Sequence, residues 1–228
     1  MRFLVTIAKW LFILCLPVLL VTASIGWLSN SLWLYQHGFE KYQVGITTGL
    51  TDSELEKTAS GLIRYFNSGE EYISLTVIKN NQPLALFNER EVIHLKDVKG
   101  LIRLDYWVLL GTTVYAVGYV VGRLSWNRHD YRRLAWALVG GGSLTLGLIL
   151  ALGLWALVDF DQLLLQFHLL SFANDFWQLD PTHDYLIMLI PRGFLYDATL
   201  ICAGATAAGA LILGVVGGGY LFYARRKK

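Results

Sequence analysis

Long apolar stretches alternate along the chain with two segments that are richer in polar residues. Four stretches contain no Asp, Glu, Lys or Arg over a length that can cross a lipid bilayer as a helix: residues 10–34, 106–122, 134–158 and 198–224. The segments between them, 35–105 and 159–192, are long enough to have structure outside the membrane. The pattern predicts a mainly α protein, a bundle of four transmembrane helices with a small α+β cap that contains a β-hairpin.

The first polar segment predicts a helix followed by the hairpin. Thr51-Asp52-Ser53-Glu54 has the spacing of a capping box, and apolar residues then recur at helical intervals as far as Phe66. Residues 72–78 and 84–87 are typical of two strands, joined by a turn at 79–83.

The end of the same segment leads into the second span. Asn88 is placed to cap a short helix that runs through Glu91 and carries His94 toward the membrane. Because roughly 70 residues form only a small core, we expect the cap to rest on the bilayer surface and on the ends of the spans.

The second segment between spans, residues 159–192, contains an apolar stretch, since leucine and phenylalanine dominate residues 163–177. This stretch is too short to span a bilayer and is typical of an interfacial or re-entrant helix. If the helix continues, His168, Ser171, Phe172 and Asp175 share one of its faces.

Basic residues mark one side of the predicted spans. They are Arg2 and Lys9 before the first span, Arg123, Arg128, Arg132 and Arg133 between the second and third, and Arg225, Arg226, Lys227 and Lys228 after the fourth. The positive-inside rule predicts that both termini are cytoplasmic and that the cap is extracytoplasmic. Of the 17 acidic residues all but Asp130 fall on the outer side in this topology.

Five parts follow from this plan. They are residues 1–34 (N-terminus and first transmembrane helix), 35–105 (cap), 106–158 (second and third helices with a short cytoplasmic loop), 159–192 (interfacial loop) and 193–228 (fourth helix and basic tail). We expect the first helix to be a retained anchor, because its apolar run is too long for a simple signal peptide. The net charge of +2 gives no argument for a nucleic-acid partner.

The spans carry little chemistry. Their glycines, concentrated at 140–147 and 209–219, have the small-residue spacing of closely packed helices, with flexible gating as the other interpretation. Asp197, near the outer end of the fourth span, is the only ionisable side chain near a predicted membrane depth. Transporters usually have several such residues or broken helices, so the sequence argues against ion-coupled transport. Cys15 and Cys202 lie inside spans, and no Gly-x-Ser-x-Gly motif is present, so the sequence indicates neither a thiol nor a serine nucleophile.

His94 and His168 are the candidate catalytic residues. His94 stands between Ile93 and Leu95, and His168 stands among leucines and phenylalanines, where an imidazole without a partner costs free energy. A metal site is the rival interpretation, but two histidines without a close third ligand are a weak zinc signal. We therefore expect no metal and no cofactor.

Two motifs around these histidines resemble a known family. The first reads Asn88-Glu89-Arg90-Glu91-x-x-His94-Leu95-x-Asp97-Val98-Lys99, and the second reads Phe167-His168-x-x-x-Phe172-x-Asn174-Asp175-x-Trp177-x-Leu179-Asp180-Pro181-x-x-Asp184-x-Leu186-Ile187. Both are similar to the lipoprotein intramolecular transacylase family, which also shares the four-span plan. The chain departs from the family after Pro191, where Arg192-Gly193 replaces an expected acidic residue.

The resemblance implies an acyl transfer within one substrate molecule in the bacterial plasma membrane. The partners would be diacylglyceryl-modified lipoproteins and membrane lipid. The α-amino group of the N-terminal cysteine would attack the sn-2 ester of its own glyceryl group, giving an N-acylated lyso-form lipoprotein. The two histidines of the family correspond to His94 and His168, and the oligomeric state stays open.

The chemistry suits two imidazoles, because the amine must lose a proton and the glyceryl oxygen must gain one near neutral pH. The transition-state ring has about eight atoms, so holding its ends together is worth several kcal/mol. We expect the ring nitrogens within roughly 8 Å of each other, with Asp97 orienting His94 or Asp175 orienting His168. The candidate substrate-binding residues are Arg90, Asp97, Lys99, Tyr106, Asn174, Asp175 and Trp177.

Two non-enzymatic alternatives stay open at this point. A receptor would bind a ligand through the cap, although the predicted cytoplasmic parts include no signalling domain. A structural or partner-binding membrane protein would need neither histidine, and unchanged lipoprotein acylation after replacement of both would favour it.

Overall fold

The computed structural model describes residues 2–126 and 131–226, which divide into two compact units. The bundle unit comprises Met1–Ile25, Asp105–Leu157 and Leu200–Lys228, and the mixed unit comprises Gly26–Leu104 and Val158–Thr199. The predicted charges Arg128, Asp130, Lys227 and Lys228 lie outside the described residues.

The bundle unit is built from parts of four long helices. These are α1 (Arg2–Ser29), α5 (Glu89–Trp126), α6 (Tyr131–Val158) and α9 (Arg192–Arg226). Within the described part of the chain these four helices are long and apolar enough to cross a membrane. The predicted mainly α fold with four membrane-length helices is confirmed.

Small residues bring α6 and α9 into backbone contact. A Cβ atom on Gly142 would lie 2.7 Å from the carbonyl oxygen of Ala210, and one on Gly217 would lie 2.6 Å from that of Ala135. No real side chain tolerates such distances, so glycine is required at both crossings. The glycine pattern therefore serves helix packing at these positions, as in other membrane bundles.

The mixed unit contains the remaining elements. They are α2 (Leu32–Lys41), α3 (Val44–Thr48), α4 (Asp52–Asn67), β1 (Thr76–Lys79), β2 (Gln82–Ala85), α7 (Phe160–Ser171) and α8 (Tyr185–Leu189), with the first turns of α5 and α9. Its buried residues include Leu62 of α4, Val77 of β1, Leu95 of α5 and Leu189 of α8. Both chain segments of the unit thus contribute to its apolar interior.

The predicted hairpin is present but shorter. β1 and β2 are antiparallel with Lys79 opposite Gln82, so the turn is Asn80-Asn81 instead of 79–83. Both asparagines have positive φ, 52° and 60°, as a two-residue hairpin turn requires, and asparagine tolerates that region better than most residues. Thr51 accepts from the backbone N–H of Glu54 at 3.4 Å, as its capping-box position predicts. The Glu54 carboxylate instead accepts from the N–H of Ile78 at 3.1 Å.

The predicted ends of the first span are wrong. The predicted span was residues 10–34, whereas α1 begins earlier, at Arg2, and ends earlier, at Ser29. Asn30 donates from its side chain to the carbonyl of Gly26 at 2.7 Å, which satisfies a helix-terminal carbonyl and ends the helix. The apolar character of the next residues belongs to α2, which the sequence pattern did not separate from the span.

Two helix lengths also differ from prediction. α5 is one continuous helix of 38 residues, whereas the pattern predicted a short helix through Glu91 and a separate span. α7 ends at Ser171, so Phe172 and Asp175 lie beyond the helix and do not share its face with His168 as predicted. The 3.6-residue spacing applies only while the helix lasts.

Candidate active site

His94 is held at the start of α5 by a reciprocal cap. The Asn88 side-chain oxygen accepts from the backbone N–H of Glu91 at 3.1 Å, and the Glu91 carboxylate accepts from the N–H of Asn88 at 2.8 Å. The second Glu91 oxygen accepts from the N–H of Leu186 in α8 at 2.6 Å. Glu91 is 1% exposed, and burial raises its pKa. This carboxylate therefore caps α5 and also fastens it to α8.

A second buried carboxylate supports the same junction. Asp184 accepts from the Asn88 amide at 2.8 Å and from the backbone N–H of Asp180 at 2.7 Å. His183 Nδ1 lies 2.8 Å from the same carboxylate. The Asp180–Asp184 part of the second motif thus anchors the cap of α5, and through it the backbone one turn before His94.

His168 is oriented by its own helix. Its Nδ1 lies 2.8 Å from the carbonyl oxygen of Leu164, four residues earlier in α7. A carbonyl accepts and does not donate, so the hydrogen is on Nδ1. The Nε2 atom is consequently the one available for proton exchange.

The structure brings the two imidazoles together. The ring centroids of His94 and His168 are 6.2 Å apart, with the rings inclined at 26°. Phe172 packs its ring against both, 4.9 Å from His94 and 5.6 Å from His168, and Trp177 lies 4.8 Å from His168. The separation is compatible with the expected 8 Å limit between ring nitrogens. One small polar group of a bound substrate can be reached from both rings.

His94 is a buried, neutral imidazole. It precedes the apolar stretch of α5, is 7% exposed, and its Nδ1 has no hydrogen-bond partner among the described residues. Burial, together with the charge that His168 can carry, lowers the pKa of His94 to about 4, although Asp97 opposes the change. Two adjacent imidazoles that disfavour a second charge are suited to hold one proton between them.

The loop after α7 is joined to α5 on both sides of His94. Arg90, one turn before, donates to the backbone carbonyl of Asp175 at 2.6 Å. Asp97, on the turn after, accepts from the side-chain amide of Asn174 at 2.8 Å. Both contacts fix the loop that carries Trp177 relative to the histidine on α5.

Neither of the carboxylates predicted to orient the rings forms a hydrogen bond to them among the described contacts. The Asp175 carboxylate accepts from Gln178 at 3.4 Å, because the end of α7 turns it away from the helical register of His168. Asp97 binds Asn174 and acts on His94 through its charge alone. A backbone carbonyl orients His168 instead, and it leaves no signal in the sequence.

Lys99 and Tyr106 were also predicted to bind substrate. The Lys99 ammonium donates to Ser68 at 3.0 Å and to the carbonyl of Glu70 at 2.6 Å, so it secures the end of α4. Tyr106 belongs to the bundle unit, and its role in substrate binding stays a prediction. The structural role of Glu91 was missed, although Asn88-x-x-Glu91 has the spacing of a capping box.

No three His, Cys, Asp or Glu side chains within residues 2–126 and 131–226 are arranged to hold a metal ion. The described site offers two imidazoles, one carboxylate and two large aromatic rings. Such a set can move protons beside an apolar ligand.

Comparison with known proteins adds a family and a fold. The sequence profile of the family described as "Lipoprotein intramolecular transacylase Lit" matches residues 10–195. The membrane-integral lipoprotein intramolecular transacylase Lit from Bacillus cereus has a similar structure, with a TM-score of 0.84 at 19% identity over 100% of both chains.

Two variants of the Bacillus cereus protein, with one histidine replaced by alanine or by arginine, are also similar. Their TM-scores are 0.77 at 19% identity, over 98% of this chain and 96% of that one, and 0.73 at 18% identity, over 100% and 98%. At these identities the likeness is one of fold. The curated protein sequences compared with the chain include no match.

Proposed function

Since the chain belongs to the lipoprotein intramolecular transacylase family, we propose that His94 and His168 carry out the proton transfers of its reaction. The protein is an acyltransferase of the bacterial membrane that moves an acyl group within one lipoprotein molecule. The observation that supports the histidine assignment best is the 6.2 Å separation of the two ring centroids.

The proposed reaction converts a diacylglyceryl lipoprotein into its lyso form. The α-amino nitrogen of the N-terminal cysteine forms a bond to the sn-2 carbonyl carbon, and the bond from that carbon to the glyceryl oxygen breaks. When the amine enters as an ammonium, its nitrogen loses two protons. One of them is balanced by the proton that the glyceryl oxygen gains, and the other is released to water.

The geometry favours His94 as proton acceptor and His168 as donor. His94 is neutral near pH 7, because burial lowers its pKa to about 4, so its lone pair is available to the amine. His168 keeps a hydrogen on Nδ1 through Leu164 and can present Nε2–H to the leaving oxygen. A proton passed from His94 to His168 afterwards restores the pair.

Phe172 and Trp177 contribute the confinement that a ring of about eight atoms needs. Phe172 packs against both imidazoles, and Trp177 packs against that of His168. A flexible chain closes such a ring slowly, so confinement of its two ends raises the rate without any covalent intermediate on the enzyme.

Replacement of either histidine tests this assignment. We expect His168→Ala and His94→Ala each to lower lyso-form production by about 10²–10⁴, the usual contribution of a single proton-transfer group. The measurement is mass spectrometry of the N-terminal peptide of a diacylglyceryl test lipoprotein, incubated with purified enzyme in detergent. The control is His37→Ala, since His37 is exposed and stacks on Trp33. Normal rates in both variants of the pair would remove the histidines from the mechanism.

We also propose the orientation that the charge pattern predicts. Basic residues cluster near both ends of the chain and between α5 and α6, whereas acidic residues cluster in the mixed unit. The positive-inside rule then assigns both termini to the cytoplasm and the histidine pair to the outer side of the plasma membrane. Lipoproteins whose N-terminal cysteine has been freed present their amine on that side, and the surrounding lipid is the second partner.

A further inference from the structure

We propose that the Asp97 carboxylate is the recognition site for the α-ammonium group of the substrate's N-terminal cysteine. The proposal rests on the proposed function, because it takes the histidine pair as the reaction centre. It gives Asp97 a ligand of defined chemistry, a primary ammonium.

Asp97 is well placed for this ligand. It lies three residues after His94 on α5, on the adjoining turn of the helix, and it is half-buried. Its negative charge is felt at the His94 ring. An amine held by Asp97 would therefore stand next to the neutral imidazole that is to accept its proton.

The partner of Asp97 within the protein is neutral. The amide of Asn174 donates to one carboxylate oxygen at 2.8 Å, and among the described residues no lysine or arginine forms an ion pair with it. Three carboxylates of the mixed unit do have a cationic partner: Glu71 pairs with Lys96, Asp197 with Lys41, and Asp161 with Arg192. The negative charge of a half-buried carboxylate without a cationic partner is not balanced, and a cationic ligand would balance it.

The ring of His94, three residues from Asp97 on α5, also has an unsatisfied hydrogen-bonding atom. The Nδ1 atom of His94 is buried and has no hydrogen-bond partner within residues 2–126 and 131–226, and the residue is 7% exposed. Buried polar side-chain atoms are normally hydrogen-bonded, so an unsatisfied ring nitrogen calls for a partner that the protein itself does not supply. An ammonium carries three N–H donors, enough to satisfy both the carboxylate and an imidazole lone pair.

The charge of Asp97 would also distinguish the substrate from the product and from the unprocessed precursor. An ammonium is attracted to Asp97, whereas the amide formed by acyl transfer is neutral and loses that attraction. A lipoprotein precursor whose cysteine is still in a peptide bond has no ammonium and is not recognised. The carboxylate therefore selects the processed substrate and releases the product.

Binding of unreactive ligands tests the proposal without any chemistry. One probe is a lipopeptide whose N-terminal cysteine carries a dialkylglyceryl group with ether links, which cannot transfer an acyl chain. The second probe is identical except that its α-amino group is replaced by hydrogen. Displacement of a fluorescent lipopeptide from the full-length enzyme in detergent gives the two affinities, and we expect the amine to bind at least about tenfold more tightly.

Asp97→Asn is the decisive variant. Its amide oxygen can still accept from Asn174, so the loop contact is retained while the charge is lost. We expect the affinity ratio of the two probes to fall to about one. Glu56→Gln removes an exposed carboxylate of α4 and should keep the wild-type ratio.

The ratio separates recognition from structural support, because damage to the loop weakens both probes equally. A ratio near one in the wild-type enzyme, or an unchanged ratio in Asp97→Asn, would overturn the proposal. The histidine assignment is scored independently by acyl transfer. If the ratio collapses in Asp97→Asn while both histidine variants transfer acyl chains normally, the ammonium site stands and the proton-transfer mechanism falls.

Discussion

His94 shows how a single residue is matched to its surroundings at a cost in stability. The ring lies among Phe172, His168 and the backbone of α5, with Asp97 as the nearby opposing charge. Burial keeps the pKa of His94 near 4, so the folded protein binds this proton far more weakly than the unfolded chain does. The site gains a neutral proton acceptor, and the fold becomes sensitive to acid.

The acid sensitivity predicts a pH-dependent unfolding temperature. Between the ordinary histidine pKa and a pKa of about 4, the unfolded chain is protonated at His94 and the folded protein is not. The stability that the neutral His94 ring contributes is therefore fully present above about pH 6.5. As the pH falls toward 4, the free energy of unfolding decreases by on the order of 3 kcal/mol. Tryptophan fluorescence on heating in detergent, at pH 7.5, 5.5 and 4.5, measures it.

The comparison with His94→Gln isolates this residue, because glutamine does not titrate and other groups are unchanged. We expect the variant to lose several degrees less between pH 7.5 and 4.5 than the wild type does. His37→Gln, at an exposed position, should follow the wild type. Parallel curves for His94→Gln and wild type would contradict the account of the buried ring.

At the residue scale, the sequence identified the two histidines as candidates but did not predict the groups that contact them. A polar ring among leucines and phenylalanines is visible in the sequence, since it is costly unless it is used. The Leu164 carbonyl is invisible, because every residue has one. The Asp97–Asn174 contact joins residues 77 positions apart, and nothing local to either residue predicts it.

At the scale of elements, α5 shows most clearly where the prediction from sequence differed from the structure. Charges at Lys96, Arg103 and Asp105 interrupt its apolar pattern, and the sequence therefore predicted two pieces. Charged side chains do not interrupt the backbone hydrogen bonds of a helix, and lysine and arginine are good helix formers. A single helix of 38 residues is the result, with the histidine in its early turns.

The cap of α5 predicts which of two neighbouring glutamates matters. Glu91 is buried and accepts from the backbone N–H groups of Asn88 and Leu186, whereas Glu89 is exposed in the same first turn. Glu91→Ala leaves the buried N–H of Leu186 and the part-buried N–H of Asn88 without their acceptor, so we expect a loss of about 2–4 kcal/mol in unfolding free energy. Thermal unfolding measures it, with Glu89→Ala as the matched control near the wild-type value. Equal stability of the two variants would mean that the α5–α8 junction does not depend on this carboxylate.

At the scale of the whole molecule, hydropathy predicted the architecture well. The four apolar helices are required by the bilayer, because a spanning segment must satisfy its own backbone hydrogen bonds. That requirement is independent of exact sequence, and the fold is accordingly shared with the Bacillus cereus protein at a TM-score of 0.84 and 19% identity. Helix ends and the elements α2 and α3 depend on local contacts, such as that of Asn30 with Gly26, and were not predicted.

The orientation of the chain is the last prediction, and it belongs to this scale. Cysteines are introduced singly at Ser60 in α4 and at Arg132 in α6, in a background with Cys15 and Cys202 replaced by alanine. Both positions are exposed, so reagent access depends on the side of the membrane alone. We expect a membrane-impermeant maleimide to label Ser60→Cys in intact cells and to label Arg132→Cys only after lysis, because the arginines beside it hold that loop in the cytoplasm. The reverse pattern would put the histidine pair on the cytoplasmic side, away from the processed amine of a lipoprotein, and would overturn the proposed orientation together with the route by which substrate reaches the site.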